Sequence, residues 1–220
     1  MSIWDKLYVR LREMSNPYFA SHRRKQLCDE SFTIISNNCW GGHCYRYFSL
    51  PYNSPTVGLY FYPDDFIKFV QRLNHYMSME LKFIQPSMSK YYPLLVEKGE
   101  TAVPIGLLDD VEIVFLHYKT EQEALEKWNR RKARMNWDHL CFKFSEMNGC
   151  RNEHLQAFDA LPYPDKFVFT VRRRPDIKCS VYYRGYSRKH QIINDTTYFT
   201  RGLGLMEFLN GKLWAETNSI

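Results

Sequence analysis

Phe32-Thr33-Ile34-Ile35-Ser36-Asn37-Asn38-Cys39-Trp40-Gly41-Gly42 is the stretch on which the reading of the fold turns. Phe32 to Ile35 is a short β-branched run that suits a buried strand, and the polar residues and glycines that follow at once make a loop at the strand's carboxyl end. Further on, Thr56 to Phe61 reads as a second extended run leading into Pro63-Asp64-Asp65, a proline and two acids that suit the first turn of a helix carrying Phe66, Phe69, Val70, Leu73 and Met77. Leu81 to Ile84 reads as another strand, and Val103 to Ile105 with Val111 to Leu116 as a β-hairpin around Leu108-Asp109-Asp110. Thr120, with Glu123 three residues on, caps a charged helix from Glu121 to about Arg134. A strand over Leu140 to Phe144, a helix over Asn152 to Leu161 and a strand over Phe167 to Val171 follow, with a strand at Ser180 to Tyr183 and a terminal helix from Gly204 to Leu213. This alternation predicts an α/β fold: an open, mainly parallel sheet with helices on both faces, Rossmann-like in its layering, with a β-hairpin in the middle.

Ahead of that alternation, Trp4, Leu7, Tyr8 and Leu11 recur at helical spacing. Residues 1–25 therefore read as an amino-terminal helical segment, interrupted near Asn16-Pro17 and suited to a lid or an oligomer contact. Residues 26–220 read as a single α/β domain, within the size range of one hydrophobic core. The 16 tyrosines, 15 phenylalanines and 5 tryptophans imply an aromatic-rich core or cleft.

The formal charge of +6 gathers in Arg23-Arg24-Lys25, in Arg130-Arg131-Lys132 with Arg134, and in Arg172-Arg173-Arg174. Such runs are most often solvated helix faces, and no nucleic-acid module accompanies them, so no nucleic-acid partner is expected. Charges at Asp5, Lys6, Arg10, Arg12 and Glu13 break up any signal-peptide core, and no run approaches the roughly 20 apolar residues of a membrane span. The expectation is a cytoplasmic chain with at most peripheral membrane contact. The 6 cysteines lack framework spacing, and Cys39, His43 and Cys44 find no second ligand pair for zinc, so no metal site is expected.

In open α/β sheets ligands bind beyond the carboxyl ends of the strands, where loops meet helix amino termini. That rule selects Asn37 to His43, His117-Tyr118, Ser145 and Thr170 to Arg174. If a helix begins at Tyr45 to Phe48, its dipole favours an anion over the loop and depresses the Cys39 thiol, which makes Cys39 a candidate nucleophile; the competing reading is a buried thiol beside a structural turn. His117 is a candidate general base, and His43 a second, weaker one. Asn37, Asn38, Trp40 and the Gly41-Gly42 backbone are candidate ligand contacts, with Asn38 the strongest for stabilising developing charge. Asn53 and Ser54 orient a ligand or form an Asx-type turn, Tyr118 flanks the base, and Arg172, Arg173 and Arg174 suit a phosphate clamp. No P-loop, dinucleotide fingerprint, nucleophile elbow or HExxH motif occurs, which disfavours the classes that depend on them.

The strings FTIISNNCWGG, LPYNSPTVGLYF, DVEIVFLHY, MNWDHL and FDALPY, in this order, resemble a bacterial family catalogued as domain of unknown function 1919, whose members are often labelled exopolysaccharide biosynthesis proteins. The resemblance runs from about Phe32 to Thr170. It implies a role in building or decorating capsular polysaccharide or exopolysaccharide on cytoplasmic sugar intermediates, and carries no catalytic residues with it. The expected function is a sugar-modifying transferase, with a coenzyme A thioester as the preferred donor substrate and a sugar or nucleotide-sugar intermediate as partner. The alternatives are a glycosyltransferase using a nucleotide sugar and a noncatalytic protein that binds polysaccharide-assembly enzymes.

Overall fold

The computed structural model describes residues 2–213. The sheet is built from β1 (Thr33–Ser36), β5 (Leu140–Ser145), β6 (Lys166–Thr170) and β7 (Ser180–Tyr182), in that order and parallel throughout. A second, antiparallel sheet holds β2 (Lys82–Ile84), β3 (Ile105–Leu108) and β4 (Val111–Val114). Its hairpin turns at Asp109, which adopts the left-handed conformation with φ of 53°. The expected α/β class and central hairpin are both present.

Alternating side chains divide the core between the two faces of the parallel sheet. Ile35, Phe142, Phe144 and Val168 point to one face, covered by α3 (Pro63–Gln71), α4 (Leu73–Ser78), α6 (Glu121–Lys132), α7 (Asn152–Asp159) and the small sheet. Ile34, Cys141, Phe167, Phe169 and Val181 point to the other, covered by α2 (Trp40–Phe48) and α8 (Leu205–Leu209). One further helix, α5 (Tyr92–Lys98), lies between β2 and β3 in the chain. Tyr60 and Phe61 splice the two sheets together. Tyr60 exchanges backbone hydrogen bonds with Val114 at 2.9 Å each way, and the Phe61 amide donates to Asn37 O at 3.0 Å. Residues 56–61 thus make turns and a single bridge where sequence reading expects a strand, because polar contacts of the Ser54 to Thr56 turn hold the chain against β1.

Three other boundaries move. The helix after the first strand begins at Trp40, not near Tyr45, because Asn38 supplies its side-chain oxygen to the Trp40 amide at 3.1 Å. Gly41 permits this, since a Cβ there would lie 3.0 Å from Ile34 Cγ2 and push helix from strand. The expected single helix from Pro63 divides at Arg72 (φ −129°) into α3 and α4. The amino-terminal helix, α1 (Ile3–Arg24), runs unbroken through Pro17. Pro17 removes one intrahelical donor, but Arg12 and Arg23 clamp the helix on either side of it: Arg12 Nη1 reaches Thr197 O at 2.6 Å and Arg23 Nη1 reaches Tyr47 O at 2.8 Å.

Within this aromatic core, Lys143 and Asp195 are both fully buried and paired at 2.5 Å. Lys143 Nζ also donates to Asn38 Oδ1 at 2.8 Å and approaches Asn37 Oδ1 at 3.5 Å, so its donors have acceptors. Asp195 accepts from Ser145 Oγ at 2.5 Å and from Asn38 Nδ2 at 2.9 Å. Lys143 holds the Asp195 carboxyl below its ordinary range against the opposing effect of burial, while burial pulls the Lys143 ammonium down and Asp195 partly offsets it. A buried ion pair is costly to desolvate, and losing one partner leaves the other uncompensated. Asp195→Asn and Lys143→Met should each destabilise the protein by about 3–5 kcal/mol, while the double variant recovers much of the loss, as read by equilibrium urea unfolding. Additive losses in the double variant would show that the two groups are not coupled.

Candidate functional site

A cleft of about 360 Å³ opens beside β1 between α2 and α6, lined by Cys39, Gly42, His43, Arg46, Tyr52, Val57, Gly58, His117, Tyr118, Lys127 and Arg131. Its position follows from the splice between the sheets: the amide of His117 donates to Gly58 O at 3.0 Å, and this fixes the imidazole at the mouth. Gly58 has φ of 82°, and a side chain there would also meet the Tyr118 ring at 3.2 Å. Sequence reading places Cys39, Gly42, His43, His117 and Tyr118 at the site, and the fold brings all five to this cleft.

The charged side chains of the lining are all cationic. Arg46 is engaged by Glu13 of α1, with Nε 2.8 Å from Oε2, and Lys127 pairs with Glu123 at 2.5 Å. Arg131 differs. It is buried, donates to Val57 O at 2.8 Å and to the Tyr118 hydroxyl, lies 4.8 Å from the centre of the Tyr52 ring, and has no ion pair among the described residues. An uncompensated guanidinium at the wall of a cleft is an anion-binding feature.

The histidines divide into two roles. His43 Nδ1 lies 3.0 Å from Arg12 Nη2, 2.9 Å from Arg46 Nη2 and 3.3 Å from Glu13 Oε1, so the ring is held between two guanidiniums and one carboxylate. Burial, then Arg46 and Arg12, push its pKa down to about 4. His43 is thereby committed to joining α1 and α2. The exposed His117 ring carries no hydrogen bond to any described side chain, and partial burial together with Arg46 holds its pKa below the ordinary histidine value. It is the free base of the cleft.

Cys39 does not become a thiolate. Burial, reinforced by Asp195, pushes its pKa up to about 12 and outweighs the helix terminus on which the nucleophile reading relied; the Sγ lies 3.8 Å from Leu59 O. The remaining residues expected to touch a ligand turn elsewhere. Asn37 and Asn38 point into the Lys143–Asp195 cluster, and Trp40 is fully buried with its Nε1 2.7 Å from Phe199 O. Gly41 packs on Ile34. Asn53 O accepts from Thr33 Oγ1 at 3.0 Å, and Ser54 Oγ closes a local turn with the Thr56 amide at 3.2 Å. Arg172, Arg173 and Arg174 form no common clamp and do not line the cleft. Arg172 is exposed, Arg174 is held by Asp176 at 2.6 Å, and Arg173 lines a separate groove with Arg184 and Arg201. They diverge because consecutive residues beyond a strand end point in different directions.

Arg46, Tyr52, Gly58, Lys127 and Arg131 are site residues that sequence reading does not single out. Arg131 has a legible signal, since it continues the Ala124 and Trp128 spacing on the buried face of α6 and so cannot belong to a solvated face. Among the described residues no group of three or more His, Cys, Asp or Glu side chains is placed to hold a metal ion.

Two measurements follow from these titrations. Alkylation at neutral pH, mapped by mass spectrometry, should modify exposed Cys28 well ahead of Cys39; a fast-reacting Cys39 would restore the nucleophile. His43 is neutral in the folded protein down to about pH 4 but protonates near 6.5 once unfolded. The unfolded state therefore binds more protons across that interval, and stability falls as pH drops from 6.5 towards 4. His43→Gln should flatten that slope, and an unchanged slope would assign it to other groups.

Comparison with known proteins places these features in a family. An uncharacterized protein of Haemophilus influenzae is 34% identical over 192 residues, which is 87% of this chain and 87% of that protein. Residues 10–210, which include the whole cleft and the buried Lys143–Asp195 pair, match the family described as a domain of unknown function (DUF1919), and the chain belongs to that family.

Proposed function

We propose that the cleft binds an anionic sugar and that the chain is a transferase modifying it, with His117 as general base. The observation that carries this reading is the pairing, in one cleft, of an imidazole and a buried guanidinium that have, among the described residues, no side-chain hydrogen bond and no acid partner respectively. Arg131, with Lys127 at the rim, would hold a phosphate or carboxylate, and the half-buried Tyr52 ring supplies apolar lining beside it. The volume of about 360 Å³ suits a phosphorylated monosaccharide and is too small for a whole coenzyme A molecule, so a large donor would present only its reactive end.

Acyl transfer from a coenzyme A thioester is the reaction we favour. The imidazole takes the proton of the acceptor hydroxyl as that oxygen attacks the thioester carbonyl carbon. The carbon–sulfur bond then breaks, the ester forms, and the coenzyme A thiolate leaves with the proton returned by the imidazolium. Asn37 and Asn38 have no part in this scheme, since both are held in the buried cluster. The setting, assembly of surface polysaccharide inside the cell, rests on the family resemblance.

Thermal unfolding in the presence of coenzyme A, acetyl-coenzyme A, sugar phosphates and nucleotide sugars tests the reading. A ligand bound only by the folded state raises the Tm. The expected result is a dose-dependent rise with a phosphorylated sugar that shrinks in Arg131→Lys, together with acetyl transfer whose kcat falls by about 100-fold or more in His117→Ala. The acid limb of kcat/KM should lie below the ordinary histidine pKa. A response to nucleotide sugars with turnover in the absence of any thioester would move the assignment to glycosyl transfer. Full activity in His117→Ala would end the mechanism.

A further inference from the structure

Helix α1 is docked the wrong way round for a protein in water. The side that faces the fold is polar: Arg12 reaches the carbonyls of Thr196 and Thr197, Glu13 meets Arg46, Arg23 stacks 3.7 Å over the Tyr47 ring, and the buried residues of the helix are Asn16 and Ala20. The side that faces outward is apolar. Trp4, Leu7, Leu11, Met14 and Tyr18 repeat at alternating intervals of three and four along one stripe and are 78%, 45%, 57%, 62% and 86% exposed. A contiguous apolar face of this length marks a site of attachment.

The charges around the stripe say what it attaches to. The only exposed charged side chains of α1 are Lys6 and Arg10, and neither has an ion-pair partner among the described residues. The helix's two acids, Asp5 and Glu13, are drawn inward to Tyr198 and Arg46. A second copy of the chain is a poor occupant, because a two-fold pairing of these helices centred on the stripe brings Arg10 against Arg10, at the middle of the contact. An apolar face with aromatic side chains and only cationic flanks matches the interface of an anionic bilayer. No described helix is long and apolar enough to cross a membrane, so the contact is with its surface.

We infer that α1 anchors the protein to an anionic membrane surface, with Trp4, Leu7, Leu11, Met14 and Tyr18 seated among the lipid headgroups and Lys6 and Arg10 meeting lipid phosphates. This stands independently of the reading of the cleft.

The test is flotation of the full chain with phosphatidylcholine vesicles, with and without phosphatidylglycerol. The protein should float with the phosphatidylglycerol vesicles and remain behind with phosphatidylcholine alone. Leu7→Asp with Leu11→Asp should weaken partitioning by about tenfold or more, and Lys6→Glu by about fivefold. These residues are exposed, so the variants should keep the wild-type Tm, and that is checked alongside. Absence of flotation overturns the inference. So does a dimer in analytical ultracentrifugation that Leu11→Asp dissociates, since this would assign the stripe to a second copy.

Discussion

A charged lysine and a charged aspartate, neither touched by solvent, sit among phenylalanines at the carboxyl end of a parallel sheet. Lys143 comes from the inner strand β5, Asp195 from the irregular chain that follows β7, and Asn38 from the loop after β1. One polar cluster therefore reinforces the β1–β5 pairing and ties the chain that follows β7 to the ends of those strands. Because each member is satisfied, the cluster is tolerated; because each depends on the others, it specifies one arrangement of the loops. Asn38 serves twice, since its oxygen also receives the Trp40 amide and starts α2.

The cleft inherits its geometry from that arrangement. With Asn37 and Asn38 turned inward, α2 starts at Trp40 and presents Cys39, Gly42, His43 and Arg46 along its first turns. The splice at Tyr60 and Phe61 delivers His117 and Tyr118 to the opposite wall, and α6 adds Lys127 and Arg131. Two imidazoles in one cleft then differ by burial and by their neighbours: His43 is enclosed among Arg12, Arg46 and Glu13, while His117 is exposed. The same guanidiniums link the cleft to α1 through Glu13, so the anchoring helix and the site share side chains.

Much of the fold was legible because its strands are short apolar runs between strong punctuation, as at Ile34-Ile35 before Asn37-Asn38 and at Phe167 to Phe169 after Pro164-Asp165. The polar residues after β1 mark the segment 37–43 as a site, but residue type does not tell which way a side chain points. Asn38 and Trp40 look like ligand contacts and are structural. The buried pair had a visible half, since Lys143 interrupts an otherwise apolar run in Leu140 to Phe144; Asp195 lies in a stretch without periodicity and had no such mark. Arg131 was hidden by its neighbours, because the run Arg130-Arg131-Lys132 on a helix reads as a solvated face until the burial of Trp128 shows where the second of them points.

The seven histidines offer a direct reporter of where a ligand sits. Two-dimensional NMR of the imidazole resonances, followed as a phosphorylated sugar is added, should move His117 most and His43 less, while His22, His75, His139, His154 and His190 stay in place, because only the first two line the cleft. Saturable binding that leaves His117 unmoved would place the ligand elsewhere on the molecule and contradict the assignment of the site.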